Sequence, residues 1–138
     1  MTGTLIFKKH ITKTDIRATF PTHLYLFGDN MWRRGYGGQA QEMRGHTNSI
    51  GVPTKWSPQN VDKAYFKDDD FTHIKPEIDF AFDLARGWLS VGNTVIIPAD
   101  GLGTGLADLP NRAPIIYQYI KKKIAELNGT ASTFMNED

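Results

Sequence analysis

Two glycine-rich loops, each entered from a short apolar run, constrain this chain most. Six of the 13 glycines fall between Gly28 and Gly51, and three more alternate at Gly101, Gly103 and Gly105. The run before the first loop is Leu24-Tyr25-Leu26-Phe27, stopping at Gly28; the run before the second is Val95-Ile96-Ile97, ahead of Pro98. Compact apolar runs bounded by turn residues read as strands buried on both faces. A helical pattern follows each loop: Gln39 to Arg44, ended by Gly45, and Asn111 to Leu127, with Asn111 as N-cap and Gly129 beyond its end.

The rest of the chain fits the same alternation. Leu5 to Phe7 and Ser49 to Thr54 read as strands. Thr12 to Phe20 reads as a helix with Thr12 or Thr14 as N-cap and Asp15 in its first turn. Ile74, Ile78, Phe82, Ala85 and Leu89 recur at helical spacing, with Pro76 expected in the first turn. Trp56 to Asp70 reads as a long surface loop. Strands alternating with helices predict an α/β fold whose sheet, mixed or parallel, is covered on both faces. In such sheets ligands sit at the carboxyl ends of the strands, which is where both glycine loops fall.

The chain's 138 residues suit one domain, expected over 1–129, with 130–138 as a loose tail. With 16 Lys+Arg against 15 Asp+Glu the net charge is +1, which counts against a general attraction to nucleic acid or to anionic membranes. The absence of cysteine excludes disulfides, iron–sulfur sites and thiol nucleophiles. His10, His23, His46 and His73 lack metal-ligand spacing, so no metal is expected. No apolar run approaches the roughly 18 residues needed to span a bilayer, and the N-terminus is too polar for a signal peptide. A soluble protein of the cytoplasm is expected.

The chemistry concentrates in the loops. After Gly28, Asp29 and Asn30 stand at a strand's carboxyl end. Gly35, Gly37 and Gly38 then let backbone N–H groups approach a ligand ahead of Gln39 and Ala40. The alternation of Gly101, Gly103 and Gly105 suits a nest of N–H groups around a phosphate, with Thr104 adding a hydroxyl and Leu106 following. Neither loop is a Walker A or a Rossmann fingerprint. Each alone is equally a tight turn; together they suggest a pyrophosphate-containing nucleotide held between them.

At this level the sequence resembles the macro domain superfamily, in particular small, divergent members from phages and bacteria. Phe27-Gly28-Asp29-Asn30 followed by Gly35-Tyr36-Gly37-Gly38-Gln39-Ala40 looks like the family's element at the distal ribose. Ile97-Pro98-Ala99-Asp100-Gly101-Leu102-Gly103-Thr104-Gly105-Leu106 looks like its diphosphate loop, and Asn48 to Lys55 is similar to one of its strands. The resemblance implies a three-layer α/β/α domain with a mixed central sheet. It also implies a site for ADP-ribose or a related nucleotide, free or on an ADP-ribosylated macromolecule, without cofactor. Asn30 would contact the distal ribose hydroxyls, Gly37 and Gly38 would lie along that ribose and its phosphate, and Gly103, Thr104 and Gly105 would bind the diphosphate. In a metal-independent ADP-ribosyl hydrolase, Asp29 or Asp100 would orient or deprotonate the attacking water. The competing role for each is an Asx turn or cap. A binding module would instead read or sequester the nucleotide, in the host cytoplasm if the protein is phage-borne. The family's early Gly-Asp-Ile/Val, whose Asp reads the adenine, has no clear counterpart here.

Two other classes compete. A nucleic-acid-binding protein would use Trp32, Arg33, Arg34, Trp56 and Lys121 to Lys123 as a basic, aromatic surface. A nucleotide-processing enzyme with a Mg²⁺-dependent step would lose activity in chelator.

Overall fold

The computed structural model describes residues 2–138. The fold is α/β. Strands β1 (Thr4–Lys8), β2 (His23–Asn30), β3 (Ser49–Lys55), β4 (Thr94–Pro98) and β5 (Thr133–Glu137) form one five-stranded sheet in the order β3-β2-β4-β1-β5. Every pairing is parallel, which corrects the mixed sheet expected above. Each connection between successive strands carries a helix that returns the chain to the same end of the sheet, so no hairpin arises to reverse a strand.

The helices are α1 (Lys13–Ala18), α2 (Ala40–Met43), α3 (Phe71–Ser90), α4 (Leu109–Arg112) and α5 (Pro114–Thr130). Alternate residues along each strand feed two separate cores, as the two-residue period requires. Leu5, Leu24, Leu26, Val95 and Ile97 pack with Ile74, Ile78 and Phe82 of α3 and Ile116 and Ile120 of α5. Ile6, Tyr25, Phe27 and Ile96 pack with Ile16 of α1 and Ala40 and Met43 of α2. Burial on both faces is why the strands read as continuous apolar runs.

Several local expectations shift. Thr12 and Asp15 do close a capping box on α1. Helix α3 starts at Phe71, so Pro76 is its sixth residue rather than part of its first turn. Asn111 is not a cap but lies inside α4; the helix breaks at Ala113 because Pro114 opens α5 and disfavours helical backbone before it. Helix α5 runs through Gly129 to Thr130. Residues 133–137, expected as a loose tail, are the edge strand β5 on β1. The 56–70 segment is pinned to the body by the fully buried Phe66 and by a bridge from Tyr65 to Lys55.

One feature of the sheet positions the site. Strands β2 and β4 pair only from His23–Tyr25 to Thr94–Ile96. Beyond that, β2 continues against β3 as far as Asn30, and β4 continues against β1. The two central strands therefore fork at their carboxyl ends. The chain leaves β2 towards β3 and leaves β4 towards β5, over opposite faces, which makes the fork a topological switch point.

Candidate functional site

The fork deprives β2 of its ladder partner, and Gln39 replaces it. Its Oε1 accepts the Gly28 N–H at 2.8 Å, and its Nε2 donates to the Gly101 carbonyl at 3.0 Å. One side-chain amide thus ties the first glycine loop to the second. Gly28 lies inside β2 and does not end it.

A cleft of about 420 Å³ opens between the two loops and the end of β3, within the range typical of small-molecule sites. From the first loop it is lined by Gly28, Asp29, Asn30, Gly35, Gly37, Gly38 and Gln39, and from the second by Gly103, Gly105 and Leu106. Asp100 and Thr104 are not in it. They face a second cleft of about 550 Å³ that shares the Gly38–Gln39 and Gly105 wall. Gly101 lines neither and serves as the acceptor for Gln39. The Thr104 hydroxyl donates to the Asp100 carbonyl at 2.9 Å, a local turn contact. Among the described residues, the N–H groups of Tyr36 to Gln39 and of Leu102 to Ala107 donate to no protein acceptor.

Asp29 departs most from its expected role. Its carboxylate is 2% exposed and accepts from four donors. These are the Asn30 N–H at 2.8 Å, Arg33 Nη1 at 3.3 Å, and Arg44 through both terminal nitrogens, one of them at 3.1 Å. A carboxylate offers about four lone-pair sites, so Asp29 has none left for a water. It is the counter-charge of a buried bidentate pair rather than a general base, which corrects the catalytic role expected for it. Arg44 also donates to the carbonyls of Gly35 at 2.7 Å and Arg34 at 3.1 Å, and so shapes the loop. The Asn30 amide borders the cleft while its Nδ2 donates to the Arg34 carbonyl at 2.8 Å. Asp100 is exposed and outside the first cleft, so it too is not placed to act there.

Lys55 also lines the cleft. It is the last residue of β3, in register with Asn30, and only 6% exposed. Its Nζ donates to the Gln59 carbonyl at 2.8 Å and sits 4.3 Å from the centre of the Tyr65 ring. The Arg112 guanidinium covers the same ring at 3.7 Å. Burial, and then the charge of Arg112, hold the Lys55 ammonium below the ordinary lysine range. The charged residues lining the cleft are Arg34, Arg44 and Lys55 against Asp29 alone.

Which glycines the site needs differs from what glycine density suggests. A Cβ at Gly51 would stand 2.4 Å from Asp29 Oδ2 and 2.8 Å from Arg33 Nη1. One at Gly103, whose φ is +82°, would stand 2.3 Å from Leu109 Cδ1. At Gly28 a Cβ would meet Gly103 N, Gln39 Oε1 and Thr54 Oγ1 all at 3.5 Å, ordinary contact. Arg44 and Gly51 were missed in the sequence. Their roles depend on meeting Asp29 across the fold, and no local pattern announces that.

The wider basic and aromatic set does not converge. Arg33 turns inward to Asp29. Trp56 packs edge-on against Phe66 and donates Nε1 to Asp70 at 3.2 Å. Lys123 pairs with Asp79 and Glu126 on the α3–α5 side. Among the described residues, no group of three His, Asp or Glu side chains could hold a metal ion, and no helix is long and apolar enough to cross a membrane. A family model described as "Family of unknown function (DUF7831)" matches residues 6–123. No curated protein and no solved structure matches the chain.

Proposed function

The chain belongs to the DUF7831 family, and we propose that it binds ADP-ribose or a related diphosphate nucleotide in the cleft between its two glycine loops. The observation that carries this reading is the cleft's charge: Arg34, Arg44 and Lys55 line it against a single carboxylate that two arginines already neutralise. A buried cation with no carboxylate partner favours an anionic ligand, because the anion offsets the desolvation cost the fold leaves open. Both loops add unpaired backbone N–H groups, which favour phosphate oxygens. A sheet faced by one core on each side is compatible with the three-layer macro-like arrangement that the resemblance implies, and we adopt it as part of the proposal.

Under this reading Gly37, Gly38, Gly103 and Gly105 approach the diphosphate, while Asn30 and Lys55 lie at the floor. Thr104 and Asp100, in the second cleft, are outside that set. For hydrolysis of an ADP-ribose linkage, neither Asp29 nor Asp100 is positioned to activate water in the cleft. Binding without turnover is therefore the primary reading.

Calorimetric titration with ADP-ribose, beside AMP and NAD, tests it, with the sample afterwards assayed for products. The expected result is binding of ADP-ribose tighter than of AMP, weakened about 10- to 100-fold in Lys55→Met. Absence of heat with ADP-ribose and NAD alike would remove the proposal.

A further inference from the structure

Residues 31–36 form a hoop between β2 and the glycine turn, and the protein braces it from inside. The Arg33 N–H donates to the Asn30 carbonyl at 3.0 Å, and Asn30 Nδ2 donates to the Arg34 carbonyl at 2.8 Å. Arg44 holds the carbonyls of Arg34 and Gly35. Arg33, at φ +57°, turns its guanidinium inward to Asp29 and to the Gly51 carbonyl at 2.7 Å.

The side chains between these anchors point the other way. Trp32 and Tyr36 are 54% and 69% exposed, and Arg34 is exposed with its guanidinium free of any protein partner among the described residues. Trp32 is the one tryptophan of the three that the fold leaves mostly in water. An aromatic–cation–aromatic row does nothing for the core from there. The backbone that carries it is fixed by a buried ion pair, so little main-chain freedom is lost when a ligand lies on it.

We infer that this hoop is a stacking platform for the unpaired bases of a single-stranded nucleic acid, with Arg34 on the phosphodiester. Aromatic faces accept any base, and an arginine beside them adds both phosphate pairing and cation–π attraction. Duplexes are excluded, because their base faces are already stacked. The inference stands whatever the cleft holds. Tyr36 and Arg34 also border the cleft, so a strand lying on the hoop would bring a nucleotide to its mouth.

The test is fluorescence anisotropy with labelled oligothymidine and oligouridine of about a dozen nucleotides, and a duplex of the same length, against the full chain. Both single strands are expected to bind more tightly than the duplex. Trp32→Ala and Tyr36→Ala should each weaken binding by about tenfold. Arg34→Ala should lower the salt slope by about 0.7, one phosphate's share on a single strand. Trp32→Ala should keep the melting temperature and ADP-ribose affinity of the parent, which separates this inference from the cleft reading. Equal binding of duplex and single strands, or single-strand affinity unchanged in both aromatic variants, would overturn it, even with ADP-ribose still bound.

Discussion

Lys55 is the residue on which the cleft reading turns. The fold buries its amine against a carbonyl and an aromatic face, with no carboxylate among its contacts. A buried charge so placed costs stability, and replacing it with an apolar side chain of similar volume is often neutral or stabilising. Lys55→Met should therefore leave the thermal midpoint unchanged or raised while ADP-ribose affinity falls about 10- to 100-fold, the loss of one charged hydrogen bond of about 1.5–3 kcal/mol. The pH dependence follows from the same depression of its proton affinity. The protonated amine is the form that holds an anion, so binding should be strongest on the low-pH side of its titration. It should weaken as pH rises through a Lys55 titration lying below the ordinary 10.5. Calorimetry across that range should show the decline in the parent and a flat profile in Lys55→Met. Glycine is the other residue-scale lesson. Gly51→Ala drives a Cβ into Asp29 and should cost about 1–3 kcal/mol in denaturant unfolding. Gly28→Ala should be nearly neutral in the same assay yet weaken ADP-ribose, because its methyl faces Gly103 N inside the cleft. Glycine density located the loops correctly, but Gly28 and Gly51 look alike in the sequence. Only the tertiary partner of each decides which one must lack a side chain.

Among the elements, the forked pair β2–β4 and the amide that spans it hold the site together. Gln39→Leu would strand the Gly28 N–H and the Gly101 carbonyl, each left without its partner. Both groups are half-buried beside the cleft, where water can replace part of the lost bond, so a drop in unfolding free energy of about 1 kcal/mol is expected from urea titration. Most elements were legible because their local signals agree: the Thr12–Asp15 capping box, the helical period of α3, the apolar runs of β2 and β4. The errors have local physical causes as well. The last helix reads as starting at Asn111 because that residue resembles an N-cap just ahead of the apolar period of Ile115 to Ile124, although Pro114 already marks the break between α4 and α5. Strand β5 is exposed along most of its length, so Phe134 and Met135 alone do not announce a strand; its place on β1 is fixed by backbone pairing, by the edge-on Phe7–Phe134 contact at 5.4 Å and by the Lys8–Glu137 ion pair at 3.6 Å. Asp29 was legible as a residue at the right edge. Its saturation by Arg33 and Arg44 was not, since Arg44 arrives from a helix 15 positions away.

For the molecule as a whole, a parallel sheet with a core on each face leaves its carboxyl edge as the place where chemistry gathers, and both glycine loops lie there. Net charge near zero conceals this arrangement: the whole chain balances 16 Lys+Arg with 15 Asp+Glu, while one cleft sets Arg34, Arg44 and Lys55 against Asp29. The central claim is that unpaired N–H groups of both loops receive one anionic ligand, and backbone-amide NMR under ADP-ribose titration tests it most directly. The largest shift changes are expected to fall together on Tyr36 to Gln39 and on Leu102 to Ala107, saturating at one equivalent, with β5 and α3 unmoved. Changes confined to a single loop, or absent from both while ADP-ribose is in excess, would contradict it.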